Sequence, residues 1–205
     1  MYSIEVQRYG SSNRDAMDMI KRLGDMWVEE IRRAGERLNG ITLRPGFHSW
    51  LYNIQMGKET PATPDGRLYG ESLSSDHLPA PGKSRVPTEV LQSMAHLPHG
   101  YTCSGGTILR LDPSHFKGRM GTDRLSALIE TYFAEGGLQL HFILADISTL
   151  QDALENPDRH RDLLVRETGF SEYFVRLLPE VQQEIMRRFQ GSAIANRSAV
   201  SEEQK

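Results

Sequence analysis

The chain alternates between stretches with regular apolar spacing and stretches in which that spacing is lost. Over residues 13–38 apolar side chains recur at helical spacing, and Asn39-Gly40 is a helix stop signal. We predict a long amphipathic helix whose apolar face packs on the core of its own domain. That face consists of Ala16, Met19, Ile20, Leu23, Trp27, Ile31 and Ala34.

Residues 40–86 lack apolar periodicity and are rich in Gly, Pro, Ser and Thr. Thr63-Pro64-Asp65-Gly66-Arg67 predicts a turn, because proline presets φ and glycine accepts positive φ. A loop of this length in a compact chain is usually functional or disordered.

Helical and strand patterns alternate through the rest of the chain, which predicts an α/β fold. The run Leu138–Asp146 becomes continuously apolar, as does a strand that is buried on both faces. A short strand over 163–165 is predicted to enter a turn at Thr168-Gly169, and the polar tail 192–205 is predicted to be disordered. Further helices are predicted over 87–97, 122–134, 148–154 and 179–189, and a further strand over 107–111.

Composition limits the partners and the compartment. The net charge of −3 argues against nucleic acid or an anionic membrane as the main partner. There is no apolar run long enough for a membrane span and no signal-peptide pattern. The single cysteine, Cys103, cannot form an internal disulfide, so we expect a cytoplasmic protein. Since CxxC and HExxH patterns are absent and the histidines lack ligand spacing, we expect no metal site.

Three longer motifs occur in a fixed order: ATPDGRLYGESL (62–73), the segment from Glu135 to Leu150, and DLLVRETGFSEYF (162–174). Tyr9-Gly10, Arg44-Pro45-Gly46, Pro87-Thr88 and the later QQEI fall between and around them. With these motifs the chain resembles the C-terminal portion of the glycyl radical enzymes, a group that includes pyruvate formate-lyase and diol, choline and hydroxyproline lyases.

The resemblance implies the C-terminal part of a ten-stranded α/β barrel, with the radical glycine on an inserted loop. Residues 1–110 would then belong to the barrel region and residues 111–191 to a glycine radical domain. Residues 192–205 would remain a disordered tail.

By position, the resemblance identifies Gly169 as the radical-bearing residue. Glycine suits this role because it has no Cβ to crowd a planar carbon radical. No bound cofactor is expected, since in the family a separate activase with S-adenosylmethionine and an iron–sulfur cluster forms the radical. The surrounding radical-loop motif consists of Val165, Arg166, Thr168, Phe170 and Ser171.

The chain departs from the family pattern at several positions. Ile143 stands where asparagine is usual, and Phe189 follows Arg188 where threonine is usual. We expect these changes to alter fine substrate or loop contacts. For Asp65 and Arg67 we favour a structural salt bridge over a role in orienting the glycine loop.

The family's thiyl-forming cysteine is missing. Cys103 lies in YTCSGG rather than in the family's Gly-Cys-x-Glu setting, so we predict a non-catalytic thiol. We therefore expect the radical-storing portion of a pyruvate formate-lyase-like lyase, dehydratase or formate acetyltransferase. Its partners would be the activase and a chain or segment with the cysteine, and homo-oligomerisation stays open.

Three alternatives follow from the missing cysteine. The chain is a subunit of a split enzyme, an autonomous radical-repair subunit, or an inactive truncated remnant that acts only as an interaction protein. We favour a portion of a catalytic enzyme over the repair subunit, since the resemblance extends well upstream of a minimal glycine domain.

Overall fold

The computed structural model of the chain describes residues 8–80, 86–144, 146–167 and 169–189. Its helices are α1 (Arg14–Arg37), α2 (Tyr52–Glu59), α3 (Pro87–Ala95), α4 (Gly118–Ala134), α5 (Ile147–Glu155) and α6 (179–189). Its strands are β1 (Gly106–Leu111), β2 (Gln139–Leu144), β3 (Leu164–Glu167) and β4 (Phe170–Tyr173). This mixture of helices and paired strands is that of the predicted α/β class.

The first helix forms as predicted, but much of its apolar face is exposed. Asn13 caps α1 by accepting a hydrogen bond from the backbone N–H of Ala16 at 2.9 Å. Met19, Leu23 and Trp27 are 56%, 51% and 42% exposed. The prediction that this face packs on the core of the chain is therefore wrong for these three side chains.

Helix α1 instead approaches the rest of the chain through two glycines. A Cβ at Gly24 would lie 2.7 Å from the side chain of Pro98, and one at Gly35 would overlap the carbonyl oxygen of Ile41. Both glycines are buried. The close contacts thus lie at positions that an apolar-periodicity argument does not register.

Helix α2 lies within the segment for which no regular structure was predicted. It has no side-chain cap at its N-terminus and contains Gly57, so its local signals are weak. The buried residues Asn53, Ile54 and Gly57 hold it against the chain. Tertiary packing rather than propensity therefore stabilises this helix.

Strands β1 and β2 form a parallel pair, with Gly106 opposite Gln139 and Leu111 opposite Leu144. Helix α4 provides the crossover between them. The prediction of β2 as a strand is confirmed, but its burial on both faces is wrong, because its ends are exposed and its middle is half-buried. Parallel sheets are normally covered on both faces. Among the described strands, this sheet has no third member.

Strands β3 and β4 form an antiparallel hairpin that was predicted only in its first half. Leu164 pairs with Tyr173 and Glu167 with Phe170, and Gly169 lies between the two strands at the tip of the hairpin. The turn was predicted at this position. The returning strand was not, since its four residues carry little alternation of their own.

Two groups of buried apolar residues form the core. The hairpin cluster joins α5, the hairpin and α6, and the sheet cluster joins α3, β1 and α4. The hairpin cluster contains Ile54, Leu150, Ala153, Val165, Phe174, Val181, Ile185, Met186 and Phe189. The sheet cluster contains Val90, Leu91, Met94, Ala95, Leu109, Leu111 and Tyr132.

Buried charge ties α6 to the segment before α3. Arg188 pairs with Glu184 at 2.7 Å, and both side chains are about nine-tenths buried. The hydroxyl of Ser72, in the ATPDGRLYGESL segment, donates a hydrogen bond to the same carboxylate. An exposed ion pair joins Glu180 of the same helix to Lys58 of α2.

Some predictions fall outside what the structure describes. The predicted disorder of 192–205 lies outside the described residues, and the division at residue 110 stays a prediction. None of the helices within the described ranges is long and apolar enough to cross a membrane.

We predict that Gly137→Ala destabilises the fold by about 1–3 kcal/mol, because the new Cβ would overlap the buried ring of Tyr132. Gly100→Ala is the matched control, since a Cβ at Gly100 meets nothing within 4 Å. The measurement is urea unfolding followed by circular dichroism. Equal stabilities of the two variants would contradict the packing of Tyr132 against Gly137.

Removal of the buried carboxylate of α6 should cost far more than removal of an exposed one. Glu184→Leu leaves the buried charge of Arg188 without that carboxylate, which should lower the free energy of unfolding by about 3 kcal/mol. Glu180→Gln, on the same helix but solvent-exposed, should cost less than about 1 kcal/mol. Denaturant titration of both variants tests this, and comparable losses would show that the Glu184 pair is not buried.

Candidate functional site

Gly169 lies at the tip of the β3–β4 hairpin. Its φ is 97°, in the region that side chains other than glycine rarely adopt, and a Cβ there would meet no atom within 4 Å. Backbone conformation rather than crowding therefore calls for glycine here. The residue is exposed, so another protein can reach its Cα.

The predicted loop motif surrounds this glycine. Val165 is buried in the hairpin cluster, and Phe170 is half-buried opposite Glu167. Arg166 and Ser171 face each other across the strand pair, and the guanidinium donates to the Ser171 hydroxyl at 3.2 Å. Thr168, the remaining residue of the motif, lies outside the described residues.

The base of the hairpin is fixed by apolar burial and by α6. Phe174, immediately after β4, is fully buried. Its carbonyl accepts a hydrogen bond from the side-chain amide of Gln182 at 2.8 Å. The tip is thus exposed while the base is held in the core, which presents Gly169 at the end of an anchored arm.

The positive charge of Arg166 also affects the pKa of a histidine on the parallel sheet. The pKa of His141, on β2, is lowered by burial first and by the positive charge of Arg166 second. His141 therefore favours the neutral form beside the hairpin. The sequence had indicated only an isolated histidine at this position.

The side chains of Asp65 and Arg67 both make local contacts, but with different partners. The Asp65 carboxylate binds the guanidinium of Arg8 at 3.0 Å, and its pKa is lowered chiefly by the hydrogen bond from Thr63. The Arg67 guanidinium donates to the backbone carbonyls of Thr60 and Glu71 at 3.0 and 2.7 Å. The structural interpretation agrees with these contacts, whereas the predicted Asp65–Arg67 salt bridge is replaced by other partners.

The two departures from the family pattern lie close to the hairpin cluster. Ile143 packs against that cluster and Phe189 belongs to it. Arg110 is opposite Ile143 in the sheet, and its guanidinium lies 5.6 Å from the centre of the Phe189 ring. The apolar replacements therefore contribute to packing and to a cation–π contact.

Cys103 is exposed, and its sulfur lies 3.4 Å from the carbonyl oxygen of Arg44. It precedes β1 and is not part of the hairpin, so its lack of a catalytic role stays a prediction. In the described part of the chain, no group of three or more His, Cys, Asp and Glu side chains could hold a metal ion.

Comparison with known proteins places the hairpin in a known family. Residues 74–175 match the family model described as "Glycine radical". The 4-hydroxyphenylacetate decarboxylase glycyl radical subunit of Clostridioides difficile strain 630 is 29% identical over 187 residues, which cover 90% of this chain and 21% of that protein. The probable dehydratase YbiW of Escherichia coli K12 is 30% identical over 190 residues, which cover 88% of this chain and 23% of that protein.

Solved structures agree with the sequence matches. The B12-independent glycerol dehydratase from Clostridium butyricum superimposes with a TM-score of 0.82 at 28% identity, over 90% of this chain and 24% of that chain. The hydroxyproline dehydratase from Clostridioides difficile gives a TM-score of 0.81 at 28% identity, over 91% and 24%. The chain spans about a quarter of the length of these relatives. It therefore belongs to the glycyl radical family and corresponds to the C-terminal portion of its enzymes, with the glycine radical domain.

Proposed function

We propose that this chain stores a carbon radical on Gly169 and passes it to a cysteine on another chain or segment. The observation that carries the proposal is the exposed, unobstructed glycine at the tip of an anchored hairpin, inside the segment that matches the family model. The residues that hold it in place are Val165, Arg166, Phe170 and Ser171, with Thr168 as a further member of the motif.

The chemistry requires one hydrogen atom to leave the Cα of Gly169. An activase that uses S-adenosylmethionine and an iron–sulfur cluster would accept that atom, and the unpaired electron would remain on the glycine carbon. Delocalisation into the two flanking peptide groups favours a planar centre, which a Cβ would crowd. The chain needs no bound cofactor of its own for this step, because its contribution is position and access.

The rest of the enzyme would be supplied elsewhere. The chain spans about a quarter of its relatives and has no cysteine in the family's thiyl setting. A parallel strand pair with no third described strand fits a piece of the ten-stranded barrel that another segment completes. We propose that this segment carries the thiyl cysteine.

For the complete enzyme we propose a class of reaction and no particular substrate. Relatives named above are decarboxylases and dehydratases, which favours a bond-cleaving lyase over a formate acetyltransferase. A reducing cytoplasmic location fits a chain with one cysteine.

The second candidate is an autonomous repair subunit that replaces an oxygen-damaged glycine domain. The similarity extends over 88–92% of the chain, well upstream of residue 74, which favours the catalytic portion. The two candidates differ in whether the added chain restores turnover to an enzyme whose own glycine has been cleaved. An inactive remnant would form no radical at all.

Anaerobic treatment with a cognate activase and S-adenosylmethionine should give a doublet in the electron paramagnetic resonance spectrum, because the remaining Cα hydrogen splits the glycine signal. Gly169→Ala should abolish the doublet. Gly40→Ala is the matched control, since Gly40 also has positive φ with open space around it. Each substitution should cost about 1–3 kcal/mol of backbone strain, so both variants should fold alike.

A silent spectrum from the wild-type chain, under conditions that activate a known glycyl radical enzyme, would contradict the proposal. A doublet that persists in Gly169→Ala would show that the radical is on another residue.

Exposure of the activated chain to oxygen should cleave the backbone at residue 169, because oxygen adds to a carbon radical at Cα. Mass spectrometry of the intact chain should then show two fragments that meet at Gly169. The chain that has not been activated is the control and should stay whole. Cleavage at any other residue would count against Gly169 as the radical site.

A further inference from the structure

A buried group of imidazole and hydroxyl side chains lies between the N-terminal part of the chain and the β1–α4 layer. We call it the histidine junction, and it consists of Phe47, His77, His99, Thr107 and Tyr132. The rings of His77 and His99 lie 5.5 Å apart, and Phe47 lies 5.4 and 6.1 Å from them. His77 is 6% exposed and His99 is 3% exposed.

Each imidazole is held through one nitrogen. Nε2 of His99 lies 2.9 Å from the carbonyl oxygen of Met94, and since a carbonyl only accepts, this nitrogen carries the hydrogen. Nε2 of His77 lies 3.1 Å from the Thr107 hydroxyl, which lies 2.9 Å from the Tyr132 hydroxyl. The Nδ1 atoms of both histidines are buried and have no hydrogen-bond partner in the described part of the chain.

In the described part of the chain, no carboxylate bonds to either imidazole of the pair, and the neighbouring Asp76 carboxylate binds Ser49 and Ser75 instead. The nearby charges that lower the pKa of His77 are those of His99 and His48, and the Tyr132 hydroxyl reaches His77 through Thr107. From α1 the junction meets the Trp27 ring, which is 5.2 Å from Phe47 and carries no charge. A second proton on either ring would therefore be buried without a counter-ion, which is costly.

The pKa values follow from this setting. The pKa of His77 is lowered to about 3, chiefly by burial and secondarily by the charges of His99 and His48. Burial also lowers the pKa of His99, against the opposing effect of its hydrogen bond to Met94. Both rings are thus neutral in the folded chain at neutral pH.

The junction is one of several connections between the N-terminal part and the rest of the chain, beside the close approach of Gly24 to Pro98 and the backbone hydrogen bonds of the Pro45–Phe47 segment to Cys103 and Ser104. Phe47 stacks on Trp27 of α1, and the carbonyl of His77 accepts a hydrogen bond from the Tyr9 hydroxyl at 2.8 Å. Thr107 belongs to β1 and Tyr132 to α4. No member of the junction belongs to the hairpin cluster that holds Gly169.

We propose that the His77–His99 pair is an acid-sensitive connection, whose protonation weakens the attachment of α1 and the Phe47 segment to the β1–α4 layer while the β3–β4 hairpin stays folded. The proposal rests on the contacts of the junction and does not depend on the radical function. Under this proposal, acid weakens the attachment of the N-terminal part. The position of Gly169 on the hairpin does not change with pH.

The direction of the pH effect on stability follows from proton binding. Because the pKa of His77 is lower in the folded chain than in the unfolded chain, the unfolded chain binds more protons between about pH 6.5 and pH 3. The stability of the folded N-terminal part is therefore greatest above pH 6.5, and it falls as the pH drops below that value. At pH 5 His77 alone should reduce the folding equilibrium constant of this part by about 30-fold, and His99 should add to that loss.

The test uses Trp27 as the reporter, in a Trp50→Phe background that removes the second tryptophan of the chain. In denaturant unfolding followed by Trp27 fluorescence, the unfolding midpoint should be lower at pH 5 than at pH 8. Replacing both junction histidines, His77→Gln with His99→Gln, should largely remove the pH difference. His96→Gln should keep it, because His96 is only half-buried, outside the junction.

An unfolding midpoint of Trp27 that is the same at both pH values would overturn the proposal, as would an unchanged pH difference in the double variant. If the double variant does not fold, nitrogen NMR of the wild-type imidazoles decides the question. Two buried histidines that stay neutral until the Trp27 signal changes would support the connection. Normal titration near pH 6.5 with the fold intact would refute it.

Discussion

Burial of the two ends of one short hairpin is the constraint on which the candidate site depends. Val165 of β3 and Phe174, which immediately follows β4, both belong to the hairpin cluster, and the pairing of Glu167 with Phe170 puts Gly169 at the tip. Because side chains alternate along a strand, a shift of one residue would move Val165 out of the core. The cluster therefore fixes which residue lies at the tip.

Helix α6 and the ATPDGRLYGESL segment support that cluster with polar contacts. Glu184 and Arg188 face Ser72, and Gln182 holds the carbonyl of Phe174. Buried ionic contacts require exact partners, since loss of one leaves the other charge unsatisfied. The motifs that are far apart in sequence are thus joined physically around the base of the hairpin, which explains why they occur together.

Sequence patterns sufficed where a feature depends on local signals. Helix α1 with its stop at Asn39-Gly40, strand β2 and the position of the turn at Gly169 follow from periodicity, helix stop signals and turn residues. Helix α2 and strand β4 did not, because tertiary contacts rather than local propensity define them. The sequence also did not predict the histidine junction, because His77 and His99 are far apart along the chain and lie 5.5 Å apart only in the folded structure. The exposed Met19, Leu23 and Trp27 show that periodicity predicts an apolar face but not what covers it.

The open space around Gly169 has a consequence for the kinetics of the chain. A reactive centre at an unshielded tip has a lifetime set by encounters with whatever diffuses past, and nothing within 4 Å of the Cβ position slows such encounters. The lifetime of such a centre then depends on the protein surface that covers the tip between reactions. In the proposed function, the hairpin would determine where the unpaired electron is held, and the protein surface around it would determine for how long.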